Sequence, residues 1–180
     1  MQKLKTFEIH RITAEEFRKA QKVPIVIVLD NVRSMHNVGS IFRTCDAFIV
    51  EKIVLCGITG TPPNAEIHKT ALSAEFSMEW EYVEDTFEAV QVLKNHGFTI
   101  VSVEQAQGST NIRDLHTDIN KKYALVFGNE VKGVSQQILD ISDFCIEIPQ
   151  FGTKHSLNLS VAAGIVVWEM FVKMKNYYQK

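Results

Sequence analysis

Residues 24–47 of this 180-residue chain read PIVIVLDNVRSMHNVGSIFRTCDA, and this stretch indicates the fold class. Its first part, residues 24–30, is an apolar run ending in an acid, as in a strand that is covered on both faces of a parallel sheet. Its last part, residues 37–47, is predicted to be a helix. Polar side chains, among them Asn31 and Arg33, fill the connection. Because α/β sheets bind ligands outside the carboxyl ends of their strands, we predict a ligand site in this loop.

The alternation of strand and helix continues along the chain. Four more apolar or β-branched runs are predicted strands, at residues 52–56, 98–103, 123–127 and 144–148. Three more helices are predicted, at residues 14–22, 85–96 and 157–175. Thr13 and Glu16 form a capping-box pattern before the first of these. This order predicts one α/β domain over residues 24–175, with a mostly parallel sheet flanked by helices, after a basic helical arm over residues 1–23.

Composition and charge exclude several classes of protein. Hydrophobic residues make up 46% and charged residues 22%, values typical of a globular domain rather than of a disordered or fibrous chain. The net charge of −2 carries no overall signature of nucleic-acid binding. However, residues 1–22 hold six basic and three acidic side chains, whereas residues 75–88 hold six acidic and no basic ones. We predict a basic amino-terminal arm and an acidic, solvated face.

The cysteines and the hydropathy pattern bear on the compartment. Cys45, Cys56 and Cys145 show no C-x-x-C spacing and lie in apolar surroundings, which predicts free, buried thiols. The amino terminus lacks the apolar stretch of a signal peptide, and no apolar run reaches the length of a membrane-spanning helix. We expect a cytoplasmic protein without membrane contact. No spacing typical of a metal site is present, so no metal is predicted.

Two further segments place polar residues after a predicted strand. Residues 128–135, GNEVKGVS, set Glu130 between two glycines, which allow close approach of a ligand to the backbone. Glu130 is either a polar turn residue or an acceptor for Arg43 or Asn37. Residues 148–160, IPQFGTKHSLNLS, place Ser156 and Asn158 where the last helix begins. They are either helix caps or part of an anion site. For Asn37 and Arg43, the plain alternatives are a helix cap and a surface cation.

Together, the three segments resemble motifs 1, 2 and 3 of the SpoU/TrmH family of RNA ribose 2′-O-methyltransferases, in the SPOUT superfamily. Motif 1, N-x5-R, is matched by Asn37 and Arg43. Motif 2, G-x-E-x-x-G, is matched by Gly128, Glu130 and Gly133. Motif 3 is matched by Ile148, Pro149, Ser156, Leu157, Asn158, Ser160, Ala162 and Ala163. The resemblance covers residues 24–172, and residues 69–75, KTALSAE, are similar to tRNA-directed members.

The resemblance implies a carboxyl-terminal trefoil knot, S-adenosyl-L-methionine held in the knot loops, S-adenosyl-L-homocysteine as product, and a homodimer with the active site near its interface. The implied cofactor contacts are Gly128, Ile148 and Leu157, with Ser156 and Asn158 close by. Arg43 is implied to act on the target ribose. We expect it to clamp a phosphate and stabilise a developing alkoxide, oriented by Glu130 and Asn37. The implied catalytic set is therefore Arg43, Asn37, Glu130, Ser156 and Asn158.

The resemblance also implies that the protein binds RNA. We expect RNA to contact Arg33, Arg43, Arg11 and Lys19, and we favour tRNA over rRNA because no accessory RNA-binding domain is recognisable before residue 24. Three alternatives stay open: a ribose methyltransferase acting on rRNA, a base methyltransferase on the same knot, and a non-catalytic RNA-binding module. His36 and His155 lie beside the motifs and are secondary candidates for proton transfer.

Overall fold

The computed structural model of the chain describes residues 1–5, 8–9 and 11–174. Its strands are β1 Val23–Asp30, β2 Val50–Cys56, β3 Trp80–Val83, β4 Phe98–Val103, β5 Thr110–Asn111, β6 Lys122–Phe127 and β7 Phe144–Glu147. Its α-helices are α1 Ala14–Lys19, α2 Met35–Ala47, α3 Ala65–Ala71, α4 Ala74–Ser77, α5 Thr86–Asn95, α6 Gln136–Ile141 and α7 Leu159–Lys173. A short 3₁₀ helix covers Ile112–Asp114.

The strands form one seven-stranded sheet in the order β3-β2-β1-β6-β4-β7-β5. Each pairing of neighbouring strands is parallel. The predicted α/β class is therefore confirmed, as are the five predicted strands and the four predicted helices within a few residues. The short elements β3, β5, α3, α4 and α6 were not predicted.

Strand β1 lies at the centre of the core. All eight of its residues are buried. Ile25, Ile27 and Leu29 pack into the core that includes residues of α2, α3 and α7, whereas Val26 and Val28 pack into the core that includes residues of α5 and α6. Helices therefore cover both faces of the sheet, which explains why the strand reads as a continuous apolar run.

Helix boundaries differ from prediction where a cap decides them. Helix α1 has the predicted capping box of Thr13 and Glu16 but ends at Lys19, because Ala20 adopts extended backbone. In α2 the cap is Ser34, whose hydroxyl accepts from the amide of Asn37, so Asn37 is inside the helix. Helix α7 begins at Leu159 because Asn158 is its cap. Lys175, the predicted end of α7, lies outside the described residues.

The amino-terminal arm is attached to the domain through α1. Phe17 is buried in the main core, and the Arg18 guanidinium donates to the carbonyl of Phe76 at 3.1 Å. Within the described ranges, no helix has the length and apolar character needed to cross a membrane.

The acidic segment 75–88 is solvated as predicted at five of its six acidic residues, and Glu75 is the exception. Glu75 is buried, and its Oε1 lies 2.5 Å from Nδ1 of His68. Asp85 caps α5 by accepting from two backbone amides. Glu75 and Asp85 therefore have separate local partners, which a count of charges in the sequence cannot reveal.

The cysteines are free, as predicted: Cys45 and Cys56 are buried and Cys145 is half-buried. Burial raises the pKa of the Cys45 and Cys56 thiols, so both stay protonated at neutral pH.

Candidate active site

The three motif segments follow the carboxyl ends of β1, β6 and β7. β1 and β6 are adjacent in the sheet, and β4 separates β6 from β7. The loops that follow β6 and β7 enclose a cavity of about 740 Å³, within the size range of sites for small ligands. The cavity is lined by residues from the end of β4, from both loops and from the start of α7. This is the place where a parallel sheet binds its ligand.

Glu130 joins the loop after β1 to the loop after β6. Its carboxylate accepts from the backbone amides of Arg33 and Ser34, each at 3.0 Å, and from Nδ2 of Asn37 at 3.1 Å. Partial burial alone would raise the pKa of Glu130, but these hydrogen bonds outweigh it and hold the pKa below its ordinary value. Glu130 is therefore an ionised anchor for the start of α2, and the alternative of a plain polar turn residue is excluded.

Asn37 connects Glu130 to the start of α7. Since Nδ2 of Asn37 donates to a carboxylate, its Oδ1 is left to accept, and Nδ2 of Asn158 donates to it at 3.1 Å. Asn158 also caps α7 through Oδ1, which accepts from the amides of Ser160 and Val161 at 2.9 and 3.3 Å. The chain Asn158–Asn37–Glu130 thus ties together all three motifs, and Asn158 is both a cap and a connector.

The glycines of motif 2 are required by space and by backbone conformation. A Cβ on Gly128 would lie 2.1 Å from backbone atoms of Gly133 and Val134, so a side chain there would force the loop open. Gly133 has a φ of +68°, which favours glycine. Asn129 closes the loop through backbone hydrogen bonds with Gly133 and donates from Nδ2 to the carbonyl of Asn31 at 2.8 Å. The result is a tight turn whose backbone faces the cavity.

The predicted cofactor residues lie around this cavity. Gly128, Ile148, Ser156, Leu157 and Asn158 all line it. A concave site with a wall of glycine backbone offers N–H and C=O groups to a ligand, and the side chains of Glu104, Glu130, Lys132 and Glu147 also line it. No group of histidine, cysteine or acidic side chains in the described part of the chain is arranged to hold a metal ion.

Of the predicted catalytic residues, Ser156 lines the cavity but lies outside the chain Asn158–Asn37–Glu130. Arg43 neither lines the cavity nor belongs to that chain. Its side chain is exposed on α2 and forms no hydrogen bond or ion pair with any residue that the structure describes. The expected orientation of Arg43 by Glu130 and Asn37 is therefore corrected, because both partners are already engaged with the loop after β1 and with Asn158.

The other predicted RNA contacts are exposed cations. The side chain of Arg33 is exposed, and only its backbone is used by Glu130. Arg11 is exposed, and Lys19 pairs with Glu15 at 2.7 Å. Of the two histidines, His155 lines the cavity, whereas His36 pairs with Glu66 at 2.7 Å.

Two residues that support the site were not identified from sequence. Thr59 is buried, and its hydroxyl accepts from the amide of Val32 at 2.9 Å and donates to the carbonyl of Leu29 at 3.0 Å. Asp30 is buried and accepts from Thr86 at 2.7 Å and from the side chain of Asn31 at 2.8 Å. An acid that ends an apolar strand was a visible signal for Asp30. Nothing in the sequence around Thr59 marks it.

Comparison with known proteins identifies close relatives of the whole domain. The sequence model of the SpoU rRNA Methylase family matches residues 24–168. The tRNA (guanosine(18)-2′-O)-methyltransferase of Aquifex aeolicus is 38% identical over 86% of this chain and 72% of its own length. The enzyme of the same name from Thermus thermophilus is 33% identical over 90% of this chain and 81% of its own length.

Solved structures agree with the sequence matches. The A. aeolicus TrmH/SpoU tRNA modifying enzyme superposes with a TM-score of 0.79 at 32% identity, covering 91% of this chain and 83% of that one. An AdoMet-bound rRNA methyltransferase from Sinorhizobium meliloti superposes with a TM-score of 0.78 at 28% identity, covering 91% of this chain and 61% of that one. The likeness confirms the predicted knotted α/β fold of the SPOUT methyltransferases.

Proposed function

Since the chain belongs to the SpoU methylase family, we propose that it transfers a methyl group from S-adenosyl-L-methionine to a ribose 2′-hydroxyl of tRNA. The observation that carries the proposal is the hydrogen-bonded chain Asn158–Asn37–Glu130, which joins the three family motifs at the cavity. The relatives from A. aeolicus and T. thermophilus act on guanosine 18 of tRNA by name, which makes that nucleotide the first candidate target.

The cofactor fits the cavity by size and by chemistry. Gly128, Ile148 and Leu157 would hold it, largely through backbone groups. Ser156 and Asn158 lie close by, just before the start of α7. When bound, S-adenosyl-L-methionine supplies an activated methyl group, and S-adenosyl-L-homocysteine is the product. The protein's own task is to hold the ribose in line with that methyl group and to assist loss of the hydroxyl proton.

Arg43 is the residue that we assign to this task. Its guanidinium carries a permanent charge and cannot accept a proton, so it acts as a clamp for phosphate and as a stabiliser of negative charge on the ribose oxygen. Phosphate oxygen or water takes the proton. Arg43 has no partner among the described residues, so its charge is available to RNA.

A second copy of the chain completes the enzyme in our proposal. The exposed side chains of Val161, Ile165 and Trp168 follow one another at helical spacing on α7 and form an apolar stripe. Trp168 and Phe171 also contact the ring of Phe48, which follows α2, at ring-centre distances of 5.5 and 5.3 Å. Because exposed apolar stripes of this kind mark interfaces, a homodimer is expected to form here, beside the helix that carries Arg43.

We assign the RNA surface to exposed cations of motif 1 and of the arm. Arg33 lies in the loop after β1, and Arg43 lies on α2, which follows that loop. Arg11 and Lys19 belong to the proposed arm over residues 1–23, and the proposed methyltransferase domain covers residues 24–175. Few phosphate contacts predict a shallow dependence of tRNA affinity on salt. We also infer a cytoplasmic location, which a role in tRNA modification supports.

The proposal is tested by methylation of purified RNA. The protein is incubated with radiolabelled S-adenosyl-L-methionine and either tRNA or rRNA, and the RNA is digested to nucleosides. We expect label on a ribose 2′-oxygen of tRNA. Label in rRNA alone identifies the alternative ribose substrate, and label on a base contradicts ribose chemistry. A protein that binds tRNA but not S-adenosyl-L-homocysteine is a binding module rather than an enzyme.

A further inference from the structure

Glu104 and Gln105 lie outside the three motifs, yet they line the cavity where β4 ends. We propose that this pair is a clamp that positions the two cofactor loops, Glu104 holding residues 128–134 and Gln105 holding residues 149–157. The proposal rests on the proposed function, because it concerns affinity for the S-adenosyl cofactor. Neither residue is assigned a role in the chemical step.

The backbone of Glu104 is fixed by the sheet. Its amide donates to the carbonyl of Ile146 in β7 at 3.0 Å, and its carbonyl lies 3.4 Å from the thiol of Cys145. The residue therefore extends the pairing of β4 with β7 beyond the last residue of the strand. Because the backbone of Glu104 is fixed, its side chain can hold a neighbouring loop in a defined position.

The carboxylate of Glu104 holds the loop after β6. Its Oε2 accepts from the amide of Val134 at 2.9 Å, while Oε1 accepts from the amide of Gln105 at 2.8 Å. A Cβ on Gly133 would lie 2.0 Å from Glu104 Oε2, so the carboxylate occupies the space that a side chain would need. Glycine is therefore needed at position 133 for two reasons: its positive φ, and the space that the Glu104 carboxylate occupies. Because Val134 is buried, loss of the carboxylate would leave its amide without a partner.

The amide of Gln105 holds the loop after β7. Its Nε2 donates to the carbonyl of His155 at 2.9 Å. Among the residues that the structure describes, it is the one hydrogen bond that involves residues 149–157. All side chains from Phe151 to Asn158 are exposed. The position of this loop over the cavity therefore depends on one side chain that sequence motifs do not include.

The consequence is a specific effect on cofactor affinity. Gln105→Met keeps the length of the side chain but removes the donor, so the loop after β7 loses its anchor and must be ordered by the ligand itself. We expect the Kd for S-adenosyl-L-homocysteine to rise about 3- to 10-fold, in line with loss of one neutral hydrogen bond. Glu104→Ala removes a charged acceptor and is expected to raise the Kd about 10- to 100-fold.

The test is calorimetric titration of the full chain with S-adenosyl-L-homocysteine, followed by tRNA methylation kinetics. Clamp variants should show a raised KM for S-adenosyl-L-methionine, with kcat at saturating cofactor within about 3-fold of the wild type. Glu104→Gln keeps a neutral acceptor for Val134 and should recover most of the affinity that Glu104→Ala loses. Gln107→Ala is the matched control, because Gln107 is exposed two residues further on and forms no hydrogen bond with any residue that the structure describes.

The outcomes separate the clamp from the proposed function. Wild-type protein that fails to bind S-adenosyl-L-homocysteine contradicts the proposed function. Wild-type protein that binds it, together with Gln105→Met and Glu104→Ala variants of unchanged Kd, overturns the clamp. A fall in kcat without a change in KM also overturns it, because it would place the pair in the chemical step. If Glu104→Ala does not fold, Gln105→Met decides the question alone.

Discussion

The two loops that enclose the cavity are held in very different ways. The loop over residues 128–135 has Glu130 bonded to the start of α2, Asn129 bonded to the carbonyl of Asn31, and Val134 bonded to Glu104. Among the residues that the structure describes, the loop over residues 149–157 has one hydrogen bond, from Gln105 to the carbonyl of His155. The loop over residues 128–135 is therefore fixed by bonds to the rest of the fold, and we call it the built wall of the cavity. The loop over residues 149–157 is largely exposed, and we call it the exposed wall.

This difference indicates how binding energy is divided. The built wall presents its backbone groups in fixed positions, so it sets the place of the cofactor at little cost in entropy. The exposed wall must be ordered when ligands bind, which lowers affinity but allows entry and release. We expect substitution of Glu130, which holds the start of α2, to affect folding and catalysis, and substitution of the clamp residues Glu104 and Gln105 to affect ligand affinity.

The largest expected effect comes from a residue in neither wall. Arg43→Ala should lower methyl transfer by roughly 10³-fold or more, because it removes the charge that stabilises the ribose oxygen. The Kd for S-adenosyl-L-homocysteine should stay within about 2-fold, since Arg43 does not line the cavity. Arg113→Ala, at an exposed arginine of the 3₁₀ helix, is the control for loss of a positive charge. Undiminished turnover in Arg43→Ala would remove Arg43 from the mechanism.

The built wall is tested through Glu130. Glu130→Ala leaves the amides of Arg33 and Ser34 and the side chain of Asn37 without their acceptor. We expect the free energy of unfolding to fall by about 1–3 kcal/mol and turnover to fall about 100-fold. Urea unfolding and methylation assays measure the two effects. Val131→Ala, at the exposed neighbouring position, should change neither by much, and equal effects of both variants would contradict the role of Glu130.

Acidification should weaken the same wall. The pKa of Glu130 is lowered in the folded chain, so ionised Glu130 contributes stability above the ordinary glutamate pKa of about 4.3, and that contribution is lost as the pH falls through the lowered value. The stability difference between wild type and Glu130→Gln should therefore be constant near neutral pH and shrink below about pH 4. Urea unfolding across this range measures it, and a difference that grows on acidification has the wrong sign for this account.

The smallest expected effect concerns motion without any substitution. Amides of residues 128–135 should be protected from hydrogen exchange in the free protein, whereas those of residues 149–157 should exchange rapidly and gain protection when S-adenosyl-L-homocysteine is added. Exchange measured by mass spectrometry with and without the ligand distinguishes the two loops. Equal protection of both in the free protein would show that the exposed wall is held by contacts beyond Gln105.

The sequence predicted the core strands because burial on both faces leaves a continuous apolar run, as in β1. It did not predict α3 and α4. Their junction at Leu72 and Ser73 has positive φ in both residues, with no glycine to indicate a turn. The motif residues were identified, and the bond from Asn37 to Glu130 was one of the predicted alternatives, but the link from Asn158 to Asn37 was not predicted. Asn37 and Glu130 are 93 residues apart in sequence and meet only through the parallel order of β1 and β6.

The central claim is that the fold joins three motifs into a site for methylation of RNA ribose. It is tested most directly by analysing nucleosides of tRNA after incubation with the wild-type protein and with Arg43→Ala, both shown to bind S-adenosyl-L-homocysteine. The account predicts 2′-O-methylated nucleoside from the wild type and almost none from the variant. Methylation of a base, or no methylation by wild-type protein that binds both tRNA and cofactor, would contradict it.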